Sequence, residues 1–317
     1  MDNRIIVVAG PTATGKTRLG IELARALGGE IVSADSMQVY RGMDIGTAKA
    51  DAAERAAAPH HMLDVCEPAE SYSVARYAEE AGHVCEDLLA RGRVPIVVGG
   101  TGLYIDALID GRDFADFEGD RRLRDELSAL YDAQGGEALL RMLGEFDPER
   151  AAKLHPGDKR RIVRVIEIYR LTGETATAHD LATKQRPKRF DAARIVLNYQ
   201  NRADLYARID ARVEDMVRAG LFEEVEHLLS AGLSPECTAM QAIGYKEAAL
   251  CLRGGLSRDE AVALIQQNSR RYAKRQITWF GRWEDAHRIF WEERCDFPAA
   301  LLSSTAFLRS RGYAVFV

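Results

Sequence analysis

The sequence predicts an α/β fold: a parallel sheet interrupted by an inserted helical domain and followed by a helical C-terminal part. Three observations carry that prediction. Short apolar runs alternate with amphipathic stretches to about residue 110, the pattern of strands joined by right-handed helical crossovers. From 113 to 190 helix signals follow one another with no strand between them. One further apolar run, centred on Ile195, Val196 and Leu197, then resumes the sheet before the chain turns helical again. These breaks divide the chain into a first part of the core (1–112), a helical insertion (113–190) and a completing strand with C-terminal helices (191–317).

Taken in order, the first strand is the apolar run 5–9, which enters Gly10-Pro11-Thr12-Ala13-Thr14-Gly15-Lys16-Thr17. This octet fits G-x-x-x-x-G-K-[ST], the loop between strand and helix with which P-loop nucleotide-binding sheets cradle phosphates. Its glycines let backbone N–H groups face an anion, and the N-terminus of the next helix adds roughly half a positive charge. Lys16 is then placed on phosphoryl oxygens, and the Thr17 hydroxyl on a magnesium ion. Leu19, Leu23, Ala24 and Leu27 give that helix its buried stripe, and Gly28-Gly29 ends it. Residues 30–34 read as a second strand with Asp35 and Ser36 at its carboxyl end, the rim on which ligands collect in open α/β sheets. Residues 37–49 look like an ordered loop and 60–65 like a third strand. Ser73 opens a helix closed by Gly92, and 94–98 form a fourth strand running into Gly99-Gly100-Thr101-Gly102.

In the insertion, helices are expected over 123–131, 137–143, 148–154 and 159–171, the last closed by Gly173, with a basic, proline-interrupted linker over 184–189. Beyond the fifth strand, Leu205, Ile209, Val213, Met216 and Val217 share one helix face that Gly220 interrupts. Ser257 and Glu260 form a capping box for a helix that turns Arg270, Arg271, Lys274 and Arg275 outward. The C-terminal tail carries no motif, and His60 and His61, adjacent in a strand, point to opposite faces and are read as structural.

The 317 residues are 47% apolar and 29% charged, values of a soluble globular protein. No cationic leader or membrane-length apolar run is visible, which points to the cytoplasm and no membrane partner. The five cysteines contain no C-x-x-C pair, which argues against a zinc site or a disulfide framework. The net charge is −5, yet residues 153–190 hold ten lysines and arginines against four acids, and residues 269–283 hold five with no acid. Such islands on an acidic chain fit either localised contact with phosphates or solvated helix faces.

Six stretches occur together: the phosphate loop; Ser33-Ala34-Asp35-Ser36-Met37-Gln38-Val39-Tyr40 continuing through Asp44-Ile45-Gly46-Thr47-Ala48-Lys49; Val98-Gly99-Gly100-Thr101-Gly102-Leu103-Tyr104; Arg160-Arg161-Ile162-Val163-Arg164; Gln241-Ala242-Ile243-Gly244-Tyr245-Lys246; and Tyr272-Ala273-Lys274-Arg275-Gln276-Ile277-Thr278-Trp279-Phe280. In content and order they resemble the tRNA dimethylallyltransferase family, also called tRNA isopentenyltransferases. One departure is Gly173-Glu174-Thr175-Ala176, where that family's pattern has a Gly-x-Pro turn.

The resemblance implies transfer of a dimethylallyl group from its diphosphate to N6 of the adenine on the 3′ side of the anticodon, position 37, in tRNAs that read codons beginning with U. It implies Asp35 as the base, with a turn cap or an outer-sphere magnesium ligand as its alternatives. Lys16, Thr17 and Arg212 stabilise the leaving diphosphate, although Arg208 lies one helical turn from Arg212. It places tRNA contacts at Asp35, Ser36, Met37, Gln38, Thr101, Leu123, Arg160, Arg161, Ile162, Val163, Arg164, Gln241, Ala242, Ile243, Gly244, Tyr245 and Lys246. Mg2+ is the expected cofactor, and a monomer acting on the tRNA anticodon stem-loop the expected form. Tyr272, Trp279, Phe280 and Trp283 read as core aromatics with base stacking as the alternative. A small-molecule kinase, a transferase acting on free adenine nucleotides and an RNA-binding switch are the rival classes.

Overall fold

The computed structural model describes residues 3–111, 120–185 and 187–315. It divides into two compact units, one made of Met1–Gly111 with Arg189–Val317 and the other of Arg112–Lys188.

The first half of the larger unit runs β1 (Arg4–Ala9), α1 (Lys16–Leu27), β2 (Gly29–Ser33), α2 (Ala52–Ala57), β3 (His60–His61), α3 (Val74–Ala90), β4 (Val94–Gly99) and α4 (Gly102–Asp110). The smaller unit holds α5 (Arg121–Gln134), α6 (Gly136–Gly144), α7 (Pro148–Lys153), α8 (Lys159–Thr172) and α9 (Ala176–Gln185). The larger unit then continues with β5 (Asp191–Tyr199), α10 (Arg202–Arg218), α11 (Leu221–Ser230), α12 (Tyr245–Leu252), α13 (Arg258–Phe280), β6 (His287–Trp291) and α14 (Phe297–Ser310).

The sheet has the order β3-β2-β4-β1-β5-β6, with every neighbouring pair parallel. Because successive side chains of a strand face opposite ways, β1 feeds two cores at once. Ile5, Val7 and Ala9 pack on one face with α3, α4 and the helices that follow β5, while Ile6 and Val8 pack on the other with α1 and α14. A strand buried on both faces reads as a continuous apolar run, which is why 5–9 was legible. The smaller unit has its own core, built on Leu127, Leu139, Leu143, Ile162, Val163 and Ile166.

The expected third strand, 60–65, shrinks to His60–His61, because Met62 and Asp64 adopt positive φ of 63° and 58° and leave the extended conformation. Strand β6 was not anticipated, since its five residues have no clean alternation and lie in a tail that carries no motif. Helices α2 and α9 were also missed; α2 depends on an Asp51–Glu54 capping box rather than on an apolar stripe, and none of its residues is buried. The capping box at Ser257 and Glu260 forms as expected, and Gly220, with φ of 104°, separates α10 from α11.

Candidate active site

The loop after β1 requires glycine at two positions. At Gly10 φ is +147° and a Cβ would lie 2.3 Å from the Leu197 carbonyl oxygen; at Gly15 φ is +79° and a Cβ would lie 2.6 Å from the Phe297 ring. Within the loop the Thr14 hydroxyl and the Lys16 ammonium each donate to the Pro11 carbonyl at 2.8 Å. From outside, Gln276 on α13 accepts the Thr12 N–H at 2.9 Å and donates to the Gly100 carbonyl at 3.0 Å, bridging the loops after β1 and β4. The Trp291 indole of β6 donates to the Thr14 carbonyl at 2.9 Å. The Thr12 amide is therefore engaged inside the protein, and the remaining loop amides and the start of α1 are the groups left to receive an anion. Burial lowers the Lys16 pKa to about 7; the Arg212 charge pushes the same way and Asp35 partly opposes it.

Beside this loop lies a cavity of about 280 Å3. Thr12, Asp35 and Arg212 are among the polar residues that line it, and Ile209, Val213, Met216 and Ile265 are among the apolar ones. Arg212 lines it and Arg208 does not. Burial also lowers the Arg212 pKa, with Asp35 opposing and Arg208 adding to the shift. The Asp35 Oδ1 accepts the Met37 N–H at 2.9 Å, so the turn-cap role is real, and it leaves Oδ2 for other chemistry. Thr101, at the head of α4, accepts the Ser36 N–H at 3.1 Å and so fixes the segment that carries Asp35. Tyr272 also lines the cavity. Burial and the Asp35 charge push its hydroxyl pKa up to about 12, against hydrogen bonds with Thr101 and Gln276.

Among the described residues no cluster of three or more His, Cys, Asp or Glu side chains forms a metal cage. Thr17 is half-buried in the first turn of α1. One hydroxyl beside a phosphate cradle suits Mg2+, which keeps several waters and takes its other ligands from substrate phosphates.

A family model described as IPP transferase matches residues 38–283, and one described as isopentenyl transferase matches residues 3–64. The tRNA dimethylallyltransferase of Geobacillus thermodenitrificans is 49% identical over 280 residues, 88% of each chain. That of Caldanaerobacter subterraneus is 46% identical over 278 residues, 87% of this chain and 88% of its own.

This chain belongs to the tRNA dimethylallyltransferase family.

Two solved structures share its fold. The tRNA isopentenylpyrophosphate transferase of Bacillus halodurans gives a TM-score of 0.73 at 39% identity, covering 98% of this chain and 97% of that one. A eukaryotic dimethylallyltransferase acting on tRNA gives 0.78 at 29% identity, covering 98% and 80%.

The residues that the family pattern assigns to tRNA divide sharply. Ser36, Met37, Gln241, Ala242 and Ile243 line the cavity together with Asp35. Gln38 is engaged within the protein: it accepts from the Ser33 hydroxyl and donates to the carbonyls of Thr47 and Ala48. Tyr245 is fully buried, with its hydroxyl on Glu224, and Gly244 is buried beside it, so neither presents a surface to RNA; Lys246 is exposed.

In the smaller unit Ile162 and Val163 are 0% and 3% exposed and belong to its core, and Leu123 packs against that core. The side chains of Ile162 and Val163 thus hold the helix to its own unit, and of this stretch Arg160 and Arg161 are the exposed members. Arg160 is exposed, and Arg161 has a solvated side chain 3.6 Å from Asp158. Arg164 donates to the fully buried carboxylate of Glu167 at 2.9 Å, a partner that Arg124 also binds.

Of the candidate stacking aromatics, Phe280 and Trp283 are core residues, and the indoles of Trp279 and Trp283 both donate to Asp106. Sequence reasoning assigned no role to Gln276, Trp291 or Phe297, which brace the phosphate loop. Gln276 stood inside a quoted stretch; the two aromatics carried no signal, because single aromatic residues in a tail have no periodicity to read.

Proposed function

We propose that this chain transfers the dimethylallyl group of dimethylallyl diphosphate to N6 of the adenine 3′-adjacent to the anticodon, position 37, in tRNAs reading codons that begin with U, releasing diphosphate. The observation that carries this reading is the cavity in which Asp35 and Arg212 meet an apolar wall beside the phosphate loop. The apolar lining suits a five-carbon chain, and Arg212 suits its diphosphate.

In this reading the loop amides, Lys16 and Arg212 take up charge as the allylic carbon–oxygen bond breaks, so that little reorganisation is needed at that moment. Lys16 with a pKa of about 7 gains its proton fully when the diphosphate arrives. The exocyclic amine is a poor nucleophile because its lone pair is delocalised into the ring. Asp35 accepts its proton as the new carbon–nitrogen bond forms, help typically worth about 10² to 10⁴ in rate. Magnesium held through Thr17 would supply further neutralisation of the diphosphate. The adenine must leave its stack to enter the cavity.

The remaining polar assignments follow from exposure. Arg160 and Arg161 in the smaller unit, Arg271, Lys274 and Arg275 on α13, and Arg282 just past its end are exposed cations suited to phosphates of the anticodon stem-loop. The reading also takes the protein as a cytoplasmic monomer. In its support, among the described residues no helix is long and apolar enough to cross a membrane, and the cysteines are free.

The test is incubation with labelled dimethylallyl diphosphate and an unmodified tRNA transcript, followed by mass analysis of the nucleosides. Adenosine heavier by one C5H8 unit at position 37 is the expected product. Phosphoryl transfer from ATP with no isoprenoid transfer, or prenylation of AMP in preference to tRNA, overturns the reading.

A further inference from the structure

Glu224 lies on α11, outside the cavity and outside every stretch that the family pattern singles out, yet it carries an unusual load. Its Oε2 accepts the N–H groups of Asp44 and Ile45, each at 2.9 Å, and its Oε1 accepts the Gly46 N–H at 3.3 Å and the Tyr245 hydroxyl. Three successive backbone N–H groups turned toward one point form an anion nest, and hydrogen bonds to an ionised acceptor are the strong kind. Gly46 is seated just as tightly: a Cβ there would lie 2.4 Å from the Tyr245 ring and 2.8 Å from Leu221. The far end of the same turn is riveted by Lys49, whose side chain is 1% exposed and donates to the Tyr40 carbonyl, Asp44 and Asp64.

Gly46, held by the first fastening, and Thr47 next to it form part of the cavity wall shared with Asp35 and Arg212. Arg212 sits on α10, the helix immediately before α11, so Glu224 ties the helix pair bearing the cation to the loop that follows the Asp35 strand.

We infer that Glu224 is a positioning residue for the transfer reaction: it fixes the 44–47 turn as a wall of the reaction cavity through the nest and Tyr245. This inference rests on the transferase reading above. Glu224 does not itself line the cavity. A wall displaced by about an ångström costs reaction geometry, for which losses of up to roughly 10² in rate are typical, while the exposed cations that meet RNA are left in place.

The test is a Glu224→Gln variant, which keeps the size but sets an NH2 against the Gly46 N–H, together with Tyr245→Phe and the double variant. The single-turnover rate with both substrates saturating should fall about tenfold in Glu224→Gln and about threefold in Tyr245→Phe, with the double variant losing less than the product because the two share a bond. The tRNA dissociation constant and the donor KM should stay within about twofold and the Tm within about 3 °C. An unchanged rate in Glu224→Gln overturns the inference, as does a loss of rate matched by losses of Tm and tRNA affinity, which would mark a purely structural cap. Wild-type protein that makes no prenylated RNA overturns the transferase reading and this inference with it; active wild type with an unaffected Glu224→Gln overturns the positioning role alone.

Discussion

In the sheet unit, residues as far apart as Thr12, Asp35, Arg212 and Tyr272 line one cavity; in the helical unit, the five contiguous residues from Arg160 to Arg164 serve separate ends. The difference is geometric. Parallel strands deliver the loops after their carboxyl ends to one rim, so chain separation is no barrier to meeting. Along a helix each residue turns about 100° from the last, so Ile162 and Val163 enter a core while Arg160 and Arg161 face water. Contiguity in a motif is evidence of a shared element, and only the element's geometry says which members share a task.

The strongest way to break this comparison is at Asp35. Asp35→Ala should lower turnover by roughly 10² or more while tRNA affinity stays within a few-fold, read from single-turnover rates and filter binding. Equal loss of both would move Asp35 from the base role to the turn cap it also performs.

Lys16 tests whether the cavity and the loop act as one electrostatic unit. With its pKa lowered to about 7 from an ordinary 10.5, it is largely neutral in the free protein at about pH 9, so diphosphate binding should draw in up to about one proton. Donor affinity is then greatest below about pH 7 and falls by up to about tenfold per pH unit above it, measurable by calorimetry in buffers of different ionisation enthalpy. The same shift gives stability the opposite trend: between about 7 and 10.5 the unfolded chain binds the extra proton, so this lysine's contribution to the stability of the unliganded protein rises with pH. Calorimetry showing no proton uptake would separate the lysine from the diphosphate.

Gln276→Ala sharpens the bracing side of the comparison. It strands the Thr12 N–H and the Gly100 carbonyl and should cost about 1–3 kcal/mol, seen as a lower Tm together with weaker donor binding. Unaltered donor affinity would show that the phosphate loop holds its shape alone.

The smallest effects belong to the arginine helix. Arg161→Ala should leave the Tm unchanged and flatten the salt dependence of tRNA binding by up to about one unit of log-log slope. Arg164→Ala should lower the Tm by removing one of the two guanidinium partners of buried Glu167, a loss of roughly 1–2 kcal/mol after allowing for partial exposure. If the two variants behave alike, the division within that helix is wrong.

Much of this architecture was legible before any coordinates. Strands buried on both faces announce themselves as apolar runs, and Gly10 and Gly15 mark the phosphate loop because few residue types tolerate their backbone conformation. What escaped reading had weak local signals. Helix α2 buries nothing, β6 is short and irregular, and α9 has little apolar periodicity next to a basic linker.

The sequence by itself determined the fold class, the strands that are continuous apolar runs, the anion cradle and the family, because each is written in residues near one another in the chain. Tertiary structure alone decided that Arg212 and not Arg208 faces the cavity, that Gln276, Trp291 and Phe297 brace the cradle, and that Glu224 holds a loop some 180 positions away. Those contacts join segments whose separation along the chain carries no periodic trace. They exist only once burial of the two sheet faces has brought the segments together.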